Sequence, residues 1–392
     1  MGVRSLSIVA LVGLLAALVY DRYPSLALVY VNHPSRLVKI NTFQSYEIKF
    51  ADKIRSCEDV LMIKEQGLAV LACDPGRERW NTVMGVFLDG PVANADLYIY
   101  DYKKTNAPDS ESLKQLTLAN FAGKTDFHTL GLAFDDASST LLAVNHAKNG
   151  SRIEKFHLDV DKLTATHLAT IQHPLIRSPN AMIMVDQDTF YLTNDHKFLA
   201  RDSIPLARLE TFTAAPLGNV VLVKTHGGEV QATKLASVPF ANGIELIGDS
   251  TLVVASTTDP GLFFYRINPD GSLTFTSKTR VPFLPDNLSV DGKTLMVAGH
   301  PYFPTLARFT KSRHICNDEA EFSKADAAMK EYCQDKSAQA GSWVAEWDAE
   351  HGLRTLYTDT EYPSSAMATH DSKRKTGIIG GLYAKGILVW RD

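Results

Sequence analysis

Asn242-Gly-Ile-Glu-Leu-Ile-Gly-Asp-Ser-Thr-Leu-Val-Val-Ala-Ser256, continued by Thr257-Thr-Asp-Pro-Gly-Leu-Phe-Phe-Tyr-Arg266, is the stretch whose reading decides the fold. Its apolar runs have strand length, are rich in β-branched and aromatic residues, and are separated by Gly, Asp and Ser turns; helical periodicity is absent. The same pattern extends outward to Gly67-Leu-Ala-Val-Leu-Ala72, Asp96-Leu-Tyr-Ile-Tyr-Asp101, Thr140-Leu-Leu-Ala-Val-Asn145 and Thr189-Phe-Tyr-Leu-Thr193. The runs fall into groups of four whose first members open at Glu58, Leu130, Asn180, Asn242, Asp286 and Ser365. Six such groups predict an all-β chain, a six-bladed β-propeller with four-stranded blades over residues 31–392. The last group offers three runs, ending in Gly386-Ile-Leu-Val-Trp390. The expected fourth is Arg36-Leu-Val-Lys-Ile-Asn41, which would leave no sheet edge open.

Two segments break the pattern. Residues 317–338 are charged and helix-prone, are flanked by Cys316 and Cys333, and read as a short helical insertion stapled by a disulfide. Asp74 to Ala95, with Trp80, Met84 and Phe87, reads as a long loop over one face, where such loops shape the mouth of a site.

Residues 1–30 carry Arg4, then an apolar run from Leu6 to Tyr20, then Asp21 and Arg22. This is the pattern of a signal peptide or signal anchor, and the lack of a small-x-small cleavage site favours the anchor. A buried core helix is the alternative, although the run has no polar face. The N-terminal segment therefore implies the secretory pathway and contact with a membrane. Cys57 with Cys73 and Cys316 with Cys333 are the expected disulfides in that oxidising compartment. Asn149-Gly-Ser151 is a glycosylation sequon beside a turn, which suggests a glycoprotein. The formal charge of -4 and the absence of a nucleic-acid-reading motif exclude DNA or RNA as an expected partner.

In a propeller the first strands of the blades run along the central axis, so residues at their openings converge. They contribute Glu58, Asn180, Asn242, Asp286 and Asn287, hard oxygen donors with two carboxylates and no Lys or Arg among them. That donor set suits Ca2+, which takes about six to eight oxygens. Asn and Asp also begin strands merely as turn residues, and each position alone carries that reading too. No cysteine or close histidine pair stands at the openings to favour a softer metal.

Ser56-Cys-Glu-Asp-Val60, Leu142-Ala-Val-Asn-His146, Phe190-Tyr-Leu-Thr-Asn-Asp-His196, Phe240-Ala-Asn-Gly-Ile244, Pro285-Asp-Asn-Leu-Ser-Val-Asp291 and Gly299-His-Pro301 resemble, in order and spacing, the paraoxonase and arylesterase family of calcium-dependent lactonases. The resemblance runs from about Leu37 to the C-terminus, and an uncleaved N-terminal segment is a habit of that family. It implies a catalytic calcium on Glu58, Asn180, Asn242, Asp286 and Asn287. It further implies a structural calcium on Asp59, the backbone carbonyl of Leu132 and a carboxylate at a position that holds Ala181 here. The histidine dyad of the family is also altered. Its proposed proton acceptor corresponds to Leu130, its partner to His146, and His128 stands two residues before Leu130 as a substitute. His196 reads as structural and His146 as either structural or catalytic.

The implied activity is hydrolysis of a small-molecule ester or lactone, with calcium polarising the carbonyl and Asp286, Glu58, His146 or His128 activating water. No GxSxG elbow is present for a serine acyl-enzyme. Two rivals stay open: a gluconolactonase-like or phosphotriesterase-like propeller hydrolase, and a non-catalytic propeller that keeps calcium for rigidity while its face binds a partner.

Overall fold

The Gly67 run shows why these strands form as they do. Ala69 and Leu71 face one hydrophobic cluster, with Phe50, Tyr100 and Ile387, while Val70 and Ala72 face another, with Leu97, Phe127 and Phe156. Successive strand residues point to opposite faces, so a sheet packed on both faces needs an unbroken apolar run. The computed structural model describes residues 3–105 and 107–392. Its chain is mostly strand, arranged as six sheets of four or five strands and one two-stranded hairpin.

The first strands of the six sheets are Cys57–Ile63, Thr129–Asp135, Pro179–Asp186, Ala241–Ile247, Leu284–Asp291 and Ser365–Asp371. Each packs against its neighbours in that order, and the last packs back on the first. The arrangement is propeller-like, with the apolar core lying between sheets and the polar strand openings turned to a common axis.

The sheet of Ser365–Asp371 is completed by Ser45–Lys49, which pairs antiparallel with Ile387–Arg391, and not by Arg36 to Asn41 as the sequence suggested. Ile40–Asn41 instead forms a short fifth strand beside Gly352–Asp359. Ser45–Lys49 is an outer strand, exposed along most of its length, so it carries little apolar signal.

The helical insertion begins earlier than expected, with Phe303–Cys316 ahead of Glu319–Lys324 and Ala327–Gln334. Pro304 sits in its first turn, where a missing backbone N–H costs nothing. Both expected disulfides, Cys57–Cys73 and Cys316–Cys333, are formed. Within the Asp74 to Ala95 segment, Trp80–Asn81 and Val86–Phe87 make the small hairpin.

The N-terminal helix spans Val3–Val31; Met1 and Gly2 lie outside the described residues. Its C-terminal end is tied to the sheet assembly. The Arg22 guanidinium donates to the Thr258 carbonyl (2.5 Å), and Asn32 Nδ2 donates to the carbonyls of Pro282 (2.7 Å) and Pro301 (3.1 Å). Among the described residues no helix is long and apolar enough to cross a membrane.

Candidate functional site

In every first strand the pairing with the second strand shifts register near its opening: between Cys57 and Asp59, Thr129 and Leu132, Pro179 and Met182, Ala241 and Ile244, Pro285 and Leu288, and Ser365 and Met367. A bulge of this kind re-aims the side chains it carries. The residues within these shifts include Glu58, Leu130, Asn180, Asn242, Asp286 and Asn287. Close approach of the sheets explains the adjacent glycines. A Cβ on Gly243 would lie 2.7 Å from both the Asn287 Cα and the Asp286 carbonyl oxygen, and one on Gly131 would lie 2.4 Å from the Asn180 carbonyl oxygen.

The amide groups share one orientation pattern. Asn242 Nδ2 donates to Thr257 Oγ1 (2.9 Å), Asn287 Nδ2 to Glu58 Oε1 (2.6 Å), and Asn180 Nδ2 lies 3.4 Å from Asp195 Oδ2. Each amide nitrogen is thus engaged, while Oδ1 of Asn180, Asn242 and Asn287 and Oε2 of Glu58 are buried with no hydrogen-bond partner. Buried oxygens left unpaired are costly, and four on neighbouring openings are not a packing accident. Among the described residues no group of three His, Cys, Asp or Glu side chains is gathered as a metal site, so a cation here would rest on mixed carboxylate and amide oxygens. The residues present fit calcium, whose charge would offset the carboxylates and whose coordination would satisfy the orphaned oxygens.

Charge tells the same story. Burial, and then the nearby Asp286 and Asp59 charges, push the Glu58 carboxyl well above the usual carboxylate range, while Arg77 and the Asn287 amide pull the other way. Arg77, which does not stand at a strand opening, nonetheless brings a positive charge to bear on these carboxylates. It comes from the loop after the second strand, is buried, and donates from Nη2 to the Thr129 carbonyl (2.6 Å). His300, at the end of Thr294–His300, places Nε2 3.0 Å from Asp286 Oδ2, and its buried Nδ1 has no partner. Glu58, Leu130, Asn180, Asn242, Asp286 and His300 line one cavity of about 290 Å3. Apolar groups from the N-terminal helix and from Phe303–Cys316 close its mouth, among them Leu26, Val29 and Phe303.

The residues of the second expected ion lie on the other side of this ring, in a cavity of about 380 Å3 that Asn287 also borders. There Asp59 is fully engaged by backbone: Oδ2 accepts from the Leu132 N–H (2.6 Å) and Oδ1 from the Val60 N–H (2.8 Å). The N–H of Leu132, not its carbonyl, faces the carboxylate. Ala181 lines the same cavity and adds no donor.

The histidines separate into distinct settings. His128 lies between Asp74 Oδ2 (3.5 Å from Nδ1) and Asp126 Oδ1 (3.7 Å from Nε2), and is not among the residues lining the axial cavity. His146 is buried, with Nδ1 3.0 Å from Ser151 Oγ and Nε2 unpartnered; burial lowers its pKa to about 4. It lines a lateral cavity of about 280 Å3 that shares Val83, Met84, Phe212 and Phe240 with the axial one. His196 has both ring nitrogens engaged, by Asp195 Oδ1 (2.9 Å) and Thr211 Oγ1 (2.7 Å), as a structural histidine should. Burial opposes its charge, but the Asp195 hydrogen bond together with the Asp195 and Glu210 charges outweighs burial and raises its pKa.

Residues 89–316 match a family model described as Arylesterase. The chain is 28% identical to serum paraoxonase/lactonase 3 of Oryctolagus cuniculus over 64% of this chain and 72% of that protein. It is 31% identical to serum paraoxonase/arylesterase 1 of Homo sapiens, over 54% of this chain and 60% of that protein, and 34% identical to serum paraoxonase/arylesterase 2 of Gallus gallus, over 41% and 44%. The aligned region thus spans less than two thirds of the length of the human and chicken relatives. Among solved structures, a gluconolactonase from Xanthomonas campestris matches with a TM-score of 0.51 and 14% identity, covering 90% of this chain and 94% of that one, a likeness of fold.

Proposed function

Because the chain belongs to the paraoxonase and arylesterase family, we propose that it is a calcium-dependent ester or lactone hydrolase on a six-bladed propeller, with one ion at the axis held by Glu58, Asn180, Asn242, Asp286 and Asn287. One observation carries the reading: four buried oxygens of these residues have no partner in the protein, while the nitrogens of the same amides are engaged. When bound, the ion supplies Lewis-acid polarisation of the carbonyl and charge stabilisation of the oxyanion.

The chain's own residues do the rest. Leu130, Phe212, Phe240 and Phe303 give the acyl or lactone ring an apolar bed and exclude bulk water. Asp286 and His300 form the proton-accepting pair. Asp286 holds the His300 Nε2–H and leaves Nδ1 as the acceptor for a proton from water. Glu58 remains a ligand, and His128, which is not among the residues lining the axial cavity, is left out of the proton transfer. The disulfides and the N-terminal segment support passage through the secretory pathway.

Chelation followed by calcium addition tests this, with turnover of a lactone and aryl ester panel and thermal stability read together. The expected result is loss and recovery of both. Recovery of stability with no turnover on any ester or lactone would favour a calcium-stabilised binding module instead.

A further inference from the structure

The lateral cavity differs from the axial one in charge. Its lining includes Arg177, Arg201, Arg208 and Lys311, against a single acid, Asp195, which is already engaged by His196. Arg201 lies 3.9 Å from Asp202; Arg177, Arg208 and Lys311 have no ion-pair partner among the described residues. Such a concentration of uncompensated cations is local, since the chain as a whole carries a formal charge of -4. At the deep end stands His146, buried, with Nε2 unpartnered; a Ser151 hydroxyl donating to Nδ1 would leave the proton on Nε2. A concave site with cations at its mouth and a neutral N–H donor at its floor suits an anionic oxygen group. Because the two cavities share Val83, Met84, Phe212 and Phe240, one molecule can place a carbonyl at the axis and a charged group beside it.

We infer that the lateral cavity receives an anionic group of the substrate, so that the preferred substrates are esters or lactones bearing a carboxylate or a comparable anion. This rests on the hydrolase reading for the turnover, but not for the binding.

The experiment compares γ-carboxy-γ-butyrolactone with γ-valerolactone, which carries a methyl group in place of the carboxylate, on the calcium-loaded full chain. Calorimetry gives Kd and a pH-stat assay gives KM and kcat. The carboxylated lactone should bind about tenfold tighter, with a correspondingly lower KM, at low salt. The preference should shrink towards one at roughly 1 M salt, where the Debye length is about 3 Å. It should also collapse in an Arg208→Glu/Lys311→Glu double variant, whose two positions are exposed and so tolerate substitution. Equal affinity for the two lactones, or a preference that survives charge reversal, overturns the inference. Preferential binding without turnover of either lactone keeps the anion site and sinks the hydrolase reading; equal turnover and equal binding does the reverse. If the double variant loses binding to phosphatidylserine vesicles but keeps its lactone preference, the cations serve an anionic surface and the inference fails.

Discussion

Glu58 and Asp59 are neighbours in one strand, both buried, yet their carboxylates meet opposite surroundings. Asp59 has its two oxygens filled by the N–H groups of Leu132 and Val60, whereas Glu58 keeps one oxygen without a partner beside three amide oxygens in the same state. The register shift between Cys57 and Asp59 re-aims Glu58 into the axial cavity, while Asp59 lines the cavity on the other side. Burial raises both carboxyls, Asp59 to about 6 despite its two backbone N–H partners, but only Glu58 stands among orphaned acceptors. On the proposed reading the ion belongs to the Glu58 side, where the orphaned oxygens gather, and the Asp59 side is expected to hold none.

The strongest challenge to that contrast is the removal of one neutral ligand. Asn242→Ala takes away an orphaned oxygen and should weaken calcium binding by about 100-fold, with turnover falling alongside. An unaltered calcium titration would remove Asn242 from the ligand set and undermine the argument for its neighbours.

A gain is expected at Leu130, which lines the axial cavity where the family has its proposed base. Leu130→His should raise lactone or aryl ester turnover, since a positioned base contributes roughly 10²- to 10⁴-fold. No change in kcat would mean that the Asp286 and His300 pair already saturates the proton transfer.

The third expectation concerns His146, kept neutral by burial with a pKa lowered to about 4. The unfolded chain, with an ordinary pKa of about 6.5, binds the extra proton over that interval. This stability is therefore complete above about pH 6.5 and is lost as pH falls towards 4, by up to roughly 3 kcal/mol. In denaturant titrations across this range wild type should lose stability relative to His146→Gln as pH falls from about 6.5 towards 4, because the glutamine takes up no proton. Parallel curves would contradict the neutral buried imidazole.

The smallest effect is expected at the insertion. Cys316–Cys333 joins two helices of one excursion, so a Cys316→Ala/Cys333→Ala variant should loosen that excursion while the sheets stay folded. Hydrogen exchange read by mass spectrometry should show the change confined to residues 303–338. Exchange spreading into the Cys57–Ile63 sheet would mean that the insertion supports the axis.

The strand openings were legible because a propeller places the starts of its first strands together and because Asn and Asp stand out against apolar runs. Other features depended on packing that no local pattern announces. Arg77 sits in Asp74-Pro-Gly-Arg77, which reads as an exposed turn, yet the guanidinium turns inward to the Thr129 carbonyl. His300 was visible only as part of a motif; its pairing across from Leu284, two residues before Asp286, is what brings it to the carboxylate. Ser45–Lys49 was missed as the closing strand because an exposed outer strand has few apolar residues to mark it.

The count and location of bound calcium test the account most directly. Equilibrium dialysis of the full chain with radioactive calcium should find one tight site, absent in Glu58→Gln and retained in Asp59→Asn. Two tight sites in the wild type, or a site that survives Glu58→Gln and disappears in Asp59→Asn, would contradict the assignment of the ion to the Glu58 side.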